Sequence, residues 1–328
     1  MLKLGSGNGL NMRKNKSKIL ILLIVLAAAV GLAATALFSR GINLISLCCN
    51  NNPCTSETAI PLVPKMPVEG SLSVYFIDVG QGDAALIVSP SGRTMLIDAG
   101  ESIYANRVEK FLKELGIERI DVLVGTHSHS DHIGSMPRLI KKFSVGSYIT
   151  TASDVPSVYS DAVETALAEK DVQIGRLRSG DTVDFDEVCK VIALSPVLGC
   201  EYSLSDSNDG CLIIRVEYGE TAFIFTADAT VHAEQLSMFH NEKELFKAQV
   251  LKVAHHGSTT SSSLGFIETV GAELAVISVG ASNPYGHPDF DIINRLKASG
   301  CSVVRTDERG TIAVFSDGKV IESKFQKP

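Results

Sequence analysis

Apolar residues along this chain fall into two regimes, one unbroken run near the start and then short, punctuated clusters. Ile19 to Phe38 is a run of 20 apolar or small residues. As a helix rising about 1.5 Å per residue it is long enough to cross a hydrocarbon core of about 30 Å. From Ser71 onward the pattern changes. Leu72–Val79, Ala84–Ser89 and Thr94–Asp98 read as consecutive strands with Gly-containing turns between them. Val108, Phe111, Leu112 and Leu115 recur at helical spacing over Asn106–Leu115, which stops at Gly116. Ile120–Gly125 reads as a buried strand and Pro137–Phe143 as a helix. Later strands are expected at Cys211–Tyr218, Thr221–Ala227, Gln249–Ala254, Leu274–Val279, Ser302–Arg305 and Thr311–Phe315, with helices at Val231–His240, Ser262–Val270 and Asp289–Ser299. Hairpin-linked strands mixed with helices in both halves predict an α+β body of two sheets packed face to face, with helices outside.

Flanking residues assign the apolar run a topology. Five basic residues precede it and only Arg40 follows closely, so the positive-inside rule puts the N-terminus in the cytoplasm and the rest outside. A cleaved signal peptide, with Ala34-Thr35-Ala36 as its cleavage site, is the competing reading. Signal-peptide apolar regions run only about 7–15 residues, which favours an uncleaved anchor in the cell membrane. Residues 40–70 are rich in Asn, Pro, Ser and Thr and lack periodicity, as a tether does. The expected organisation is therefore a basic cytoplasmic segment (1–18), a transmembrane anchor (19–39), a linker (40–70) and an extracytoplasmic body (71–328).

Charge narrows the partners. Residues 1–70 hold seven Lys and Arg against two acidic residues, so the remainder carries a net −12 while the whole chain carries −7. A nucleic-acid backbone binder usually shows a basic stripe, so the bulk charge does not support a dedicated nucleic-acid module. Seven cysteines without a paired C-x-x-C spacing exclude a structural zinc knuckle. Most read as small buried residues. Cys48, Cys49 and Cys54 stand in the linker, where an oxidising compartment would permit a short-range disulfide.

Chemistry concentrates in Thr126-His127-Ser128-His129-Ser130-Asp131-His132-Ile133-Gly134, directly after a predicted strand, where three of the eight histidines fall within six residues. In an extended segment positions i and i+2 point the same way, so His127 and His129 can grip one metal ion together. Where the chain turns towards a helix, Asp131 and His132 can face a second. Imidazole nitrogen with one carboxylate suits zinc.

His127-x-His129-x-Asp131-His132 resembles the signature of the metallo-β-lactamase superfamily. Phe76-Ile77-Asp78-Val79-Gly80-Gln81-Gly82-Asp83, Leu96-Ile97-Asp98-Ala99-Gly100, Phe225-Thr226-Ala227-Asp228, Val253-Ala254-His255-His256-Gly257-Ser258 and Pro284-Tyr285-Gly286-His287-Pro288 stand in the order that resemblance requires. Together they are similar to the hydrolase domain of ComEC-type competence proteins and, more distantly, to phosphorylcholine esterases. The resemblance covers about residues 71–320 and implies a four-layer αββα sandwich holding two divalent metal ions, zinc or manganese. It implies that Asp228 bridges the two ions, that His256 joins Asp131 and His132 on one of them, and that His255 faces the substrate. The order of the two neighbouring histidines could be reversed, because adjacent strand residues point opposite ways. Asp98 and Asp83 would orient the ligands from behind. His287 would sit near the substrate, with Tyr285 either stabilising a developing oxyanion or packing.

One departure matters. No histidine stands between His132 and Asp228, where many superfamily members supply another ligand. Asn208, in Ser207-Asn208-Asp209-Gly210-Cys211, occupies the corresponding place, so the His127/His129 ion would be completed by water or weakly by Asn208. This counts against a β-lactamase or a glyoxalase-type thiolesterase. Two metals lower the pKa of a water between them towards 7 and neutralise charge on the attacked group, which suits a phosphodiester. Asp131 or His255 would assist proton transfer. An ester, lactone or phosphocholine ester of the cell envelope is the second enzymatic expectation, and a non-catalytic metal-stabilised domain the third. A ComEC-type transporter carries many membrane spans whereas this chain shows one run, so the expectation is a stand-alone relative of the hydrolase domain. The sequence carries no signal of oligomeric state.

Overall fold

Fifteen short strands form among the described residues because their apolar positions alternate between two buried faces. The structure is a computed structural model that describes residues 70–153, 155–202 and 206–328. One sheet runs in the order β15-β14-β1-β2-β3-β4-β5-β6. Its strands are β1 (Leu72–Phe76), β2 (Ala85–Val88), β3 (Thr94–Ile97), β4 (Arg119–Gly125), β5 (Ser144–Thr151), β6 (Ile174–Leu177), β14 (Ile312–Ser316) and β15 (Ile321–Phe325). The other runs β13-β12-β11-β10-β9-β8-β7. It is built from β7 (Thr182–Val183), β8 (Cys189–Ser195), β9 (Ile213–Tyr218), β10 (Thr221–Phe225), β11 (Val250–Lys252), β12 (Leu274–Ile277) and β13 (Ser302–Arg305).

Leu72, Val74 and Phe76 on β1 point into a core shared with Ile214, Val216, Phe223 and Phe225 of the second sheet. Phe76 stacks on Phe225 across the gap, with ring centroids 5.9 Å apart. Tyr75, on the opposite face of β1, meets the helices α1 (Ala105–Glu114), α2 (Ser130–Ile133), α3 (Met136–Lys142) and α4 (Val158–Ala168) in a second cluster. The outer face of the second sheet packs on α5 (Val231–His240), α6 (Leu264–Val270) and α7 (Phe290–Ala298). A last short helix, α8 (Thr306–Arg309), joins β13 to β14. Three apolar clusters thus separate four layers, helix, sheet, sheet and helix, as the α+β expectation required.

Strands β3 to β6 pair in parallel, and so do β10 to β13. Each sheet therefore presents several strand ends of one sense at one edge, the place where open α/β sheets gather functional loops. The strands nearest that edge are shorter than the apolar pattern predicts, and they are clipped at their C-terminal ends. Leu72–Val79 stops at Phe76, Thr221–Ala227 at Phe225, Gln249–Ala254 at Lys252 and Leu274–Val279 at Ile277. Asp98 and Ala227 turn into the left-handed region just past their strands, at φ 56° and 45°, which ends the ladder and re-aims the residues beyond it. The pattern reading assigns no element over 144–195, where the structure has β5, α4, β6, β7 and β8.

No helix among the described residues is long and apolar enough to cross a membrane. The anchor expected at Ile19–Phe38, the linker and Cys48, Cys49 and Cys54 lie outside the described residues. Cys189, Cys200, Cys211 and Cys301 are free thiols, three of them buried.

Candidate metal centre

The segment after β4 is held by the residue after β3. Asp98 Oδ1 accepts from the Thr126 backbone N–H at 2.9 Å, and its Oδ2 accepts from the Thr126 hydroxyl and from His132 Nδ1, both at 2.7 Å. With its hydroxyl proton committed to Asp98, Thr126 accepts from His127 Nδ1 at 3.1 Å. His127 Nε2 is thereby left with a lone pair, 3.1 Å from His129 Nδ1. A short turn of helix, α2, then carries Asp131 and His132. Asp83 reaches this loop through its backbone N–H, which donates to the Asp131 carbonyl at 3.0 Å.

The second sheet supplies the remaining donors. Asp228 follows the left-handed Ala227 after β10, and His255 and His256 follow β11, both with left-handed backbones at φ 50° and 54°. Such conformations cost non-glycine residues about 1–2 kcal/mol each and cluster at functional sites. The His255 N–H donates to the Ala227 carbonyl at 2.9 Å, joining the two loops. His256 is buried and donates from Nδ1 to the Ser278 carbonyl at 2.9 Å, so its Nε2 lone pair faces Asp131 Oδ2 at 3.2 Å. His132 Nε2 faces Asp228 Oδ1 at 3.2 Å in the same way, and neither of those two buried atoms has a hydrogen-bond partner.

Besides Asp83, Asp98 and His132, which cluster behind, two donor groups share Asp228. Asp131, His132, Asp228 and His256 form one, and His127, His129 and Asp228 the other, each with its donor atoms within 4.8 Å of one another. Asp228 belongs to both. Lone pairs that face each other over 3.2 Å repel unless a proton or a cation lies between them, so this donor set fits divalent metal. Without a cation, protons must separate them. Burial opposes a charge on His132 and on His256, yet the carboxylates of Asp228 and its neighbours raise His132 well above its ordinary value and His256 to about 10. Burial likewise opposes charge on Asp228, and His132 and His256 nevertheless hold it well below the usual carboxylate range. His127 is pushed well down, first by burial and then by His132, and stays neutral.

His255 takes a different position from its neighbour. Its Nδ1 lies 2.9 Å from the Thr260 hydroxyl and its Nε2 3.6 Å from Asp228 Oδ2, on the wall of a cavity of about 330 Å³. His129, Asp131, Asn208, Asp228, His256, Tyr285 and His287 line the same cavity. The alternatives left open for the two histidines therefore separate, with His256 inside the donor set and His255 at the cavity. Asn208 is buried beside it with its Oδ1 unpaired. Asp83 lies behind, its Oδ1 3.5 Å from His256 Nδ1.

Sequence reading overlooks Lys252. It is only 3% exposed, pairs with Asp83 and donates to the Ala227 carbonyl at 3.1 Å. The signal that could have found it is a lone cation inside the apolar strand run from Val250 to Ala254.

The family model of the metallo-beta-lactamase superfamily matches residues 77–280. ComE operon protein 3 of Bacillus subtilis (strain 168) is 31% identical over 278 residues, covering 79% of this chain and 34% of that protein. Competence protein ComA of Neisseria gonorrhoeae is 32% identical over 250 residues, covering 76% of this chain and 33% of that protein. The chain thus spans about a third of the length of these two relatives. Among solved structures, the metallo-beta-lactamase fold protein YhfI from Bacillus subtilis is 10% identical at a TM-score of 0.49, covering 77% of this chain and all of that one.

Proposed function

The chain belongs to the metallo-beta-lactamase superfamily, and from that membership and the convergent donor set we propose that it is a binuclear metal-dependent hydrolase acting on a phosphodiester. The observation that carries this is the position of Asp228, whose carboxylate stands in both donor groups. A carboxylate has two oxygens, so Asp228 could serve an ion in each group. His127, His129 and Asp228 would hold one ion, and Asp131, His132, His256 and Asp228 the other, as zinc or manganese. Asn208, buried with its Oδ1 unpaired, lines the same cavity as His129 and would offer that oxygen where a further histidine ligand is missing. Asp98 fixes the proton on His132 Nδ1 and the Ser278 carbonyl that on His256 Nδ1, with Asp83 close behind the latter.

A pair of divalent ions so held would supply an acidified water and would neutralise charge on the attacked phosphate. The protein's own groups supply the rest. Burial pushes His255 down, so it is neutral at pH 7 and its Nε2 is free to take up a proton at the cavity wall. Burial opposes charge on Asp131, but the neighbouring His256 and His132 keep it ionised, as a metal ligand must be. His287 lines the wall where the substrate's non-reacting part lies.

We place this body at the outer face of a membrane, tethered by Ile19–Phe38. The support is the uninterrupted apolar run with its basic flank. The test uses full-length protein in detergent, zinc-loaded, offered a chromogenic phosphodiester and a lactone with and without chelator. Chelator-sensitive phosphodiester turnover, lost in Asp228→Asn, is expected. Turnover of the lactone alone defeats the proposal.

A further inference from the structure

Two tyrosines remain without a structural reason for their place. Tyr285 is 67% exposed and Tyr159 is 41% exposed, and both line the cavity above the candidate metal centre. Ring surface left exposed at a cavity wall is available to a ligand in that cavity.

The loop carrying Tyr285 is also braced. Asn283 Oδ1 accepts from the backbone N–H of Tyr285 at 3.1 Å and of His287 at 3.0 Å. Its Nδ2 donates to the carbonyls of Gly280 and His287, at 3.0 and 2.6 Å. One side chain thus fixes both ends of the turn. It presents the Tyr285 and His287 rings nearly parallel, 18° apart in plane with centroids 5.9 Å apart. Two rings in one orientation offer a face on which a planar group can stack. Burial, and after it the neighbouring histidines, keep His287 below its ordinary value, so this surface is uncharged near neutral pH.

We propose that Tyr285 and His287, with Tyr159 beside them in the cavity, form a subsite on which a planar ring of the substrate stacks. The proposal rests on the phosphodiester reading and narrows it to phosphodiesters that carry a nucleobase on the side of the phosphate that is retained after cleavage. Among the described residues lining the cavity there is no Lys or Arg. The subsite therefore holds one ring by its face and does not track a strand by its phosphates.

The test compares thymidine 5′-(4-nitrophenyl phosphate) with methyl 4-nitrophenyl phosphate on zinc-loaded full-length protein. Both release the same chromophore. Wild type should prefer the thymidine ester in kcat/KM. Tyr285→Ala should cut that preference by roughly tenfold, mostly through KM, while Tyr285→Phe keeps it. An equal loss on both esters, no change in preference, or a stronger preference for 4-nitrophenyl phosphorylcholine overturns the subsite. If neither ester is turned over, the phosphodiester reading fails. Equilibrium binding of thymidine 5′-monophosphate against methyl phosphate then decides the subsite alone. A thymidine preference lost in Tyr285→Ala supports it, and equal binding overturns it.

Discussion

His132 Nε2 and Asp228 Oδ1 lie 3.2 Å apart, and with His132 Nδ1 donating its hydrogen to Asp98, only a second proton on the ring or a cation can stand between them. The two atoms come from different sheets, one following β4 and the other β10. A buried acceptor facing a buried acceptor is stable only with a positive charge between them, and the surrounding loops are arranged to keep that place.

Removing the carboxylate common to both donor groups should therefore empty the centre. Asp228→Asn is expected to lower bound zinc from two equivalents per chain to one or none, read by elemental analysis after gel filtration. Chelation of the wild type should lower its thermal midpoint. Free cation at about 100 times its Kd stabilises by roughly 2.7 kcal/mol per site, and this is lost on chelation.

Asp98 acts one layer back. It holds the Thr126 hydroxyl and N–H together with His132 Nδ1, and so fixes which nitrogen of His132 carries the proton. Asp98→Asn should weaken zinc binding by about 10–100-fold while leaving the far-UV spectrum unchanged. A chelator competition titration measures this, and an unaltered affinity would show that Asp98 merely closes a turn.

The buried pair of Lys252 and Asp83 should respond to single and double substitution differently. Lys252→Met leaves Asp83 charged and unpaired in the interior, at a cost of about 3–5 kcal/mol. Burial opposes the charge on Asp83, and it is Lys252 first that keeps it ionised. Lys252→Met with Asp83→Asn removes both charges and should recover most of the loss in urea unfolding of the zinc-free protein. A double variant no more stable than the single one sinks this account.

Glu234 supplies a pH dependence away from the metal centre. Fully buried on α5, it accepts from the N–H groups of Ser262 and Ser263 at 2.6 and 2.9 Å. Burial still raises its carboxyl from 4.5 to about 7. A raised acid binds its proton more tightly when folded. Its contribution is complete below pH 4.5 and fades as pH rises through 7. Relative to Glu234→Gln, wild type should lose stability on the order of 3 kcal/mol across that window. Denaturant titrations of both proteins at about pH 4.5, 6 and 8 check the sign, and a constant difference contradicts it.

Much of the centre was legible because its ligands crowd one stretch. His127, His129, Asp131 and His132 announce themselves by spacing, whereas Asp228 and His256 enter only through family resemblance, since convergence across two sheets leaves no local trace. Their exact aim was illegible for a backbone reason. Ala227, His255 and His256 adopt left-handed conformations that side-chain pattern does not encode. Strand interiors were readable from apolar alternation, while their C-terminal limits were not, because the apolar run continues through Ile77 and Val253 after the chain has left the sheet. The stretch over 144–195 hid for other reasons. Strand β6 is exposed at three of its four positions, and α4 buries Ser160 and Ala166 along with Val163 and Leu167, which blurs any helical stripe.

Each sheet contributes a share of the donors and neither holds a complete set, so the cations would work as a clasp closing two halves of a book. A clasp of that kind ties the lifetime of the folded body to the supply of ions around it. In surroundings scarce in such ions the halves would part more readily, and proteolytic survival would then report local ion availability as directly as turnover does.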